Sequence, residues 1–169
     1  MEASTPVAAL GLAPRERPAP GAPLLELQRR IGATPAAVFG VLGDLDRHWH
    51  LAGPAIRVLA LDGPPGSRRG GRLRLLGPCG VRRTVRTRVT RLEPDEMLAG
   101  TASTASGSTV HVTWRVAPCG DGARVELQLA ADRASALDAV VLRLGGRRWL
   151  RRRLQAALQR LAATAEATA

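Results

Sequence analysis

The sequence contains no lysine, asparagine or tyrosine, and its 169 residues include two isoleucines, one phenylalanine and three tryptophans. A GC-rich coding sequence produces such depletions, so the use of arginine for all 25 basic residues is weak evidence of selection for nucleic acid. Side chains on which unpaired bases stack are also nearly absent. We therefore do not expect nucleic-acid binding to be the main role.

The chain also lacks the features of secreted and membrane-spanning proteins. No apolar run approaches the roughly 20 residues that cross a bilayer, and no basic stretch of a signal peptide precedes the short apolar run near the N-terminus. Cys79 and Cys119 lie in separate Gly/Pro-rich turns, without the spacing of a metal site or a disulfide framework. The sequence predicts a cytoplasmic protein with no metal or other cofactor. It also predicts two free thiols, unless the two hairpins are neighbours and bring the cysteines together.

The arginines give the chain a net charge of +11, which attracts anionic surfaces through a salt-screened field. Arg82, Arg86 and Arg88 alternate along one predicted strand and point outward, and five more arginines crowd the last predicted helix between Arg147 and Arg153. The simplest interpretation is a solvated surface on which the alkyl stems cover apolar side chains. Weak contact with anionic surfaces is the alternative.

The hydrophobic pattern indicates one domain, residues 24–166, after an Ala/Pro-rich, disordered or extended tail, residues 1–23. Apolar residues alternate over 24–31, which predicts a half-buried strand. Thr34-Pro35 then predicts a helix start, with Thr as N-cap and Pro in the first turn, and a second short helical segment ends at Gly53-Pro54. Further alternating runs at hairpin spacing predict an antiparallel meander. These runs cover residues 55–63, 71–77, 81–92, 97–105, 109–117 and 123–131.

Residues 135–162 change to helical spacing and carry the longest apolar stripe in the chain. Gly145-Gly146 divides the stripe at a point where a helix kinks or changes face. We expect the part before the glycines to border a cavity and the part from Leu150 to Leu161 to anchor the helix to a sheet. The pattern predicts an α+β fold in which a curved, seven-stranded antiparallel sheet closes around a long C-terminal helix.

Four segments occur within this order of elements: RRIGATPAAVFGVLGDLDRHW, RVTRLEPDEMLAG, VTWRVAPCGDGARVELQL and RRWLRRRLQAALQRLA. Through them the chain resembles the START-like or SRPBCC superfamily, the helix-grip fold that includes polyketide cyclase/dehydrase-like and lipid-transport proteins. The resemblance covers residues 24–166 and implies a hydrophobic cavity between the concave face of the sheet and the last helix. It does not imply catalysis.

We expect the cavity to hold a hydrophobic small molecule, such as a lipid, an isoprenoid or a polyketide-like compound. The alternative is a polyketide aromatase/cyclase-type enzyme that uses the same cavity, so the sequence leaves catalysis open. No serine-nucleophile, Walker A or dinucleotide-binding glycine motif points to another chemistry. The residues expected to contact the ligand are Phe39, Leu42, Trp49, Arg83, Val85, Thr87, Val112, Trp114, Leu127, Leu137, Val141 and Leu144.

Few titratable residues fall near the predicted cavity. His48 and His50 diverge by about 200° on a helix and do not easily share a metal ion, so we interpret them as surface groups and Trp49 as a lid over the cavity mouth. Arg29 and Arg83 occur among the inward residues of their strands. Because an unpaired buried guanidinium is unfavourable, each requires an acidic partner, a position at the rim or a ligand. Arg29, Arg83 and His50 are the candidate acid/base groups of the enzyme alternative.

Overall fold

The structure, a computed structural model, describes residues 23–77, 80–135, 138, 140 and 142–168. Seven strands form one antiparallel sheet in the order β1-β7-β6-β5-β4-β3-β2, so β2 to β7 make a meander and β1 pairs with β7 at the other end. This confirms the predicted helix-grip sheet. The strands are β1 (Pro23–Ile31), β2 (Ile56–Asp62), β3 (Gly70–Leu76), β4 (Arg82–Glu93), β5 (Met97–Thr104), β6 (Thr109–Cys119) and β7 (Gly122–Arg133).

Two short helical segments follow β1, as the sequence predicts. Helix α1 (Pro35–Gly43) begins where Thr34 Oγ1 accepts a hydrogen bond from Ala37 N at 3.3 Å, which satisfies one of the free amides of the first turn. A 3₁₀ segment (His48–Ala55) leads from there into β2. The predicted tail lies outside the described residues, except for Pro23, which begins β1.

The C-terminal helical region is interrupted at the predicted glycines. Leu142–Gly146 form a single π-helical turn, and helix α2 (Arg147–Glu166) starts after it. Gly145 has a φ of +104°, outside the range of a right-handed helix and favourable only for glycine. The long helix therefore begins later than residue 135 and ends four residues after the expected position.

Helix α2 lies on one half of the concave face, where it contacts α1, the 3₁₀ segment and β1. The apolar stripe of α2 anchors this helix to the sheet, as predicted. Two polar contacts hold it further: Arg160 Nη1 donates to the Leu51 carbonyl at 2.8 Å, and Glu166 Oε1 accepts from Gly32 N at 2.8 Å. The buried residues of the stripe are Ala157, Leu158, Leu161, Ala162 and Ala165.

Within the part of the chain that the structure describes, no helix is long and apolar enough to cross a membrane. Cys119 is a free thiol, whereas Cys79 lies outside the described residues. No group of three or more His, Cys, Asp or Glu side chains is arranged to hold a metal ion among the residues from 23 to 168 that are described.

Candidate ligand-binding cavity

The two halves of the concave sheet face are covered differently. Over β1 and β7, the side chains of Phe39, Leu42 and Leu127 are at most 6% exposed and belong to the main hydrophobic core. Because α2 and α1 pack over this half, the inward face of β4 and β5 has less cover. The structure places a partly open cavity of about 90 Å³ there.

The strand register explains which residues form the wall of this cavity. Thr87 lies opposite Ala102, and Val89 lies opposite Gly100, which in turn faces Val112. All of them alternate onto the concave side. The lining residues are Leu45, His48, Trp49, Gly70, Thr87, Arg88, Val89, Leu98, Ala99, Gly100, Thr101, Ala102, Val112 and Trp114.

The pairing of β4 with β5 is irregular beside the cavity. The register between β4 and β5 shifts between Val89 and Arg91, and such a bulge increases local twist. At Gly100 a Cβ atom would lie 2.7 Å from the carbonyl oxygen of Arg88, closer than side-chain atoms approach. A glycine at this position lets the two backbones approach closely.

The predicted ligand contacts separate into two groups in the structure. Trp49, Thr87, Val112 and Trp114 line the cavity, and half-buried Val85 lies on the same inward face of β4. By contrast, the buried trio Phe39, Leu42 and Leu127 lies in the core away from the lining. Leu137, Val141 and the side chain of Leu144 lie outside the described residues, so their predicted role stays a prediction.

His48 lines the cavity, and its interpretation as a surface group is wrong. Its ring meets Trp49 and Trp114 edge-on, with centroid distances of 5.2 and 5.9 Å. Its Nδ1 lies 2.9 Å from the carbonyl oxygen of Leu42 near the end of α1. That carbonyl is one of the four without a helical partner at a helix C-terminus. The need of these carbonyl groups for a donor was the signal in the sequence that could have placed His48 against the end of α1. His50, in contrast, is exposed, as expected.

The surroundings of His48 favour a neutral imidazole. Burial between the two indoles lowers the pKa of His48 from its ordinary value of 6.5, against the opposing effect of the Leu42 hydrogen bond. In the neutral tautomer, Nδ1–H donates to the carbonyl and Nε2 keeps a lone pair. The cavity therefore contains a hydrogen-bond acceptor that is also a weak base.

This shift predicts a specific acid sensitivity. Because the folded protein holds His48 neutral and the unfolded chain binds a proton below pH 6.5, the free energy of unfolding should fall as the pH decreases from 6.5. The slope contributed by this one proton is at most about 1.4 kcal/mol per pH unit. Urea unfolding between pH 7 and pH 5 measures it, and His48→Asn should flatten the curve. An equal slope in the variant would contradict the assignment.

Trp49 contributes a second polar group to the cavity region. Its indole Nε1 is buried and has no hydrogen-bond acceptor among the described residues. A buried donor without an acceptor is destabilising by about 1–3 kcal/mol. A bound molecule that supplies an oxygen to this N–H would recover that free energy.

Asp46 fixes the segment that carries both residues. Its carboxylate accepts hydrogen bonds from Gly66 N at 3.0 Å and Arg68 Nε at 2.8 Å, in the loop between β2 and β3. These bonds, led by that of Arg68, lower the pKa of Asp46. The loop and the segment before the 3₁₀ turn are thereby joined at the edge of the cavity.

Arg29 and Arg83, predicted at inward positions, each avoid an unpaired buried guanidinium, but in different ways. Arg83 forms an ion pair with Asp138, and both side chains are largely buried, so an acidic partner is, of the three predicted alternatives, the one that the structure shows for Arg83. Arg29 is exposed on β1, consistent with a rim position. Neither they nor His50 lines the cavity, so His48 replaces all three as the candidate acid/base group.

The sequence matches the family model described as polyketide cyclase / dehydrase and lipid transport over residues 23–166. The chain belongs to this family. The resemblance seen in the sequence is thereby confirmed. No curated protein matches the chain significantly.

Solved structures of low sequence identity share the fold of this family member. Protein TTHA0849 from Thermus thermophilus superposes with a TM-score of 0.65 at 19% identity, over 86% of this chain and 98% of the other. The KanY protein gives a TM-score of 0.65 at 21% identity, over 83% and 95% of the chains. Protein CV1439 from Chromobacterium violaceum gives 0.57 at 20% identity, over 82% and 94%. At these identities the likeness shows the fold alone.

Proposed function

We propose that this protein binds a neutral, hydrophobic small molecule of the lipid, isoprenoid or polyketide type in the cavity over β4, β5 and β6. The observation that carries the proposal is the pairing of an apolar wall with two polar atoms, His48 Nε2 and Trp49 Nε1, for which the described residues supply no hydrogen-bond partner. Apolar burial would supply most of the affinity, and the two polar atoms would orient the ligand.

The polar atoms define the chemistry of the ligand. His48 Nε2 accepts a hydrogen bond, so it suits a hydroxyl or enol group, whereas the indole N–H of Trp49 suits a carbonyl or ether oxygen. Among the described lining residues, the only permanently charged side chain is that of Arg88, which is exposed on the outward face of β4. A neutral molecule with one or two oxygens therefore fits better than an organic ion.

The volume limits how such a molecule is held. At about 90 Å³ the cavity is well below the roughly 300–1,000 Å³ of most small-molecule sites. It accommodates a single ring or the end of a longer chain. A larger ligand has to extend through the open side or displace wall residues.

Two matched probes test this proposal. 2-Naphthol should quench the tryptophan fluorescence and raise the melting temperature, and it should bind up to about tenfold more tightly than naphthalene because of one additional hydrogen bond. His48→Asn keeps a donor for the Leu42 carbonyl but removes Nε2, so the preference for naphthol should disappear. The proposal fails if neither probe changes the melting temperature or the fluorescence.

A pair of tryptophan substitutions on β5 localises the binding. Ala102 lines the cavity, whereas Ser103 is its neighbour on the opposite face of the strand. Ala102→Trp should fill the space and abolish binding of both probes, and Ser103→Trp should leave it unchanged. Equal binding by both variants would place the ligand elsewhere.

Catalysis of the aromatase/cyclase type is the second candidate, and the lowered pKa of His48 favours it. A neutral imidazole beside an apolar pocket can accept a proton from an activated methylene or enol group. The same His48→Asn variant separates the two functions. An enzyme would lose turnover of a poly-β-keto thioester while still binding naphthalene, whereas a binding protein would show no turnover in either form.

A further inference from the structure

The outer face of β2, β3 and β4 concentrates positive charge. Arg57 lies directly opposite Arg74, and Arg72 lies directly opposite Arg86. Like charges in directly opposed positions destabilise a sheet. We call the following six exposed residues the arginine face: Arg57, Arg72, Arg74, Arg82, Arg86 and Arg88.

These arginines are not neutralised within the described part of the chain. None of the six takes part in an ion pair there. Of the two acidic residues on the same strands, Glu93 is bound by Arg91, and Asp62 stands at the end of β2. An external anion is the group that would neutralise this face.

Base composition explains the choice of arginine over lysine but not this distribution. On the outer face of β1, β6 and β7, Glu26 and Glu126 lie among the arginines, and Glu126 is directly opposite Arg115. Charge is therefore mixed on one half of the convex surface and of one sign on the other. The difference belongs to the fold and not to the codon usage.

Apolar side chains accompany the charge at one end of the arginine face. Arg57, Arg74 and Arg82 surround a depression of about 230 Å³ that is also lined by Leu76. Leu76 shares the outward face of β3 with Arg72 and Arg74 and is 38% exposed. Arginines that flank exposed aliphatic side chains are the arrangement of a membrane-surface contact.

We propose that the arginine face docks this protein on an anionic membrane surface. The guanidinium groups bind lipid phosphates, and Leu76 enters the interface between headgroups and acyl chains. Nucleic acid fits less well, because aliphatic groups gain nothing from a phosphate backbone and all six strand positions lack an adjacent exposed aromatic residue for stacking. Five of the six arginines of this face do not line the cavity, and Arg88, which does, extends its side chain on the outward face of β4. This proposal is therefore independent of the proposed function.

Vesicle co-sedimentation of the full chain tests the proposal. Binding is expected to phosphatidylcholine vesicles that contain phosphatidylserine and not to phosphatidylcholine alone, and it should weaken as salt is added. The variant R57Q/R74Q/R82Q should lose affinity on the order of 100-fold. The variant R30Q/R115Q/R124Q removes the same charge from the other half of the outer face and should lose much less. Leu76→Ser should weaken binding without any change in net charge.

Three different outcomes would overturn the proposal. If the two triple variants lose the same affinity for vesicles, binding depends only on the net charge of the protein and not on the arginine face. Loss in R147Q/R148Q/R152Q alone would move the contact to α2. Duplex DNA that competes fully for the protein at physiological salt, with no effect of Leu76→Ser, would assign the face to nucleic acid.

Thermal melting of each variant controls for folding. The variant R57Q/R74Q/R82Q should melt no lower than the parent because it removes an opposed like-charge pair.

Discussion

Replacing Trp114 by alanine is expected to lower the free energy of unfolding by about 3–5 kcal/mol. The side chain is 6% exposed and belongs to both the hydrophobic core and the cavity wall. The space it leaves joins the existing cavity of about 90 Å³ instead of collapsing. Removal of the indole also exposes one face of His48, so the acid sensitivity below pH 6.5 should weaken in the same variant.

Trp149→Ala is the matched control for this prediction. Its ring is only partly buried on α2, where the guanidinium of Arg153 lies 5.6 Å from the ring centroid. The loss of such a contact should cost about 1 kcal/mol. Added indole should raise the melting temperature of Trp114→Ala more than that of Trp149→Ala, since apolar cavities bind small aromatic molecules. Urea unfolding gives the free energies, and equal losses in the two variants would contradict the assignment of Trp114 to the wall.

Alternation of side chains was sufficient to predict the sheet and its two faces. Val85 and Thr87 face inward and Arg86 and Arg88 outward, as the pattern of that strand indicates. Thr34-Pro35 predicted the start of α1 because N-capping depends on local chemistry. The interruption near Gly145 was predictable for the same reason, since only glycine tolerates that backbone conformation.

The residues that the sequence did not reveal depend on distant partners. Asp138 meets Arg83 across 55 positions of the chain, and no periodicity records such a contact. The pattern Ser135-x-x-Asp138 was a usable signal, because a serine followed three residues later by an acid often begins a helix. The α-helical spacing from which a surface position follows does not apply to His48, because this residue begins a 3₁₀ segment and its ring contacts the end of α1.

The extent of the cavity was also beyond the sequence. An apolar residue on the concave face can fill the core or line an open space, and the hydrophobic pattern is the same in both cases. Phe39 and Leu127 fill the core because the helices pack over β1 and β7, whereas Val112 borders the cavity because it faces Gly100 of β5, where that cover ends. Whether such a residue fills the core or lines a cavity depends on where the helices pack, and the hydrophobic pattern of one strand carries no information on that.

Separating Arg83 from Asp138 is expected to loosen the segment that leads into α2. Asp138 Oδ1 is paired with Arg83, and Oδ2 accepts hydrogen bonds from Ser108, which is 7% exposed, and from Ser135 at 2.8 Å. Ser135 N in turn donates to Ser108 Oγ at 2.9 Å. One carboxylate thus joins this segment to β4 and to the turn between β5 and β6, beside the part of the chain expected to border the cavity.

Arg83→Met and Asp138→Asn test this connection, because asparagine retains an acceptor for the serines and removes only the charge. With side-chain exposures of 22% and 15%, each single variant should lose about 2 kcal/mol of unfolding free energy, somewhat less than the roughly 3–5 kcal/mol of a fully buried pair. The double variant should lose less unfolding free energy than the two single variants together, and the difference is the coupling free energy. Urea unfolding of the four proteins measures it.

The pair Arg91–Glu93 on the same strand provides the matched control. Its side chains are 60% and 36% exposed, so its coupling should be at most about 1 kcal/mol and should vanish in high salt. The coupling of Arg83 with Asp138 should persist in salt, because the protein excludes counterions from it. Equal coupling in the two cycles would mean that Asp138 acts only through its serine partners. A larger, salt-resistant value would establish the ion pair as a contact that holds the segment before α2 on β4.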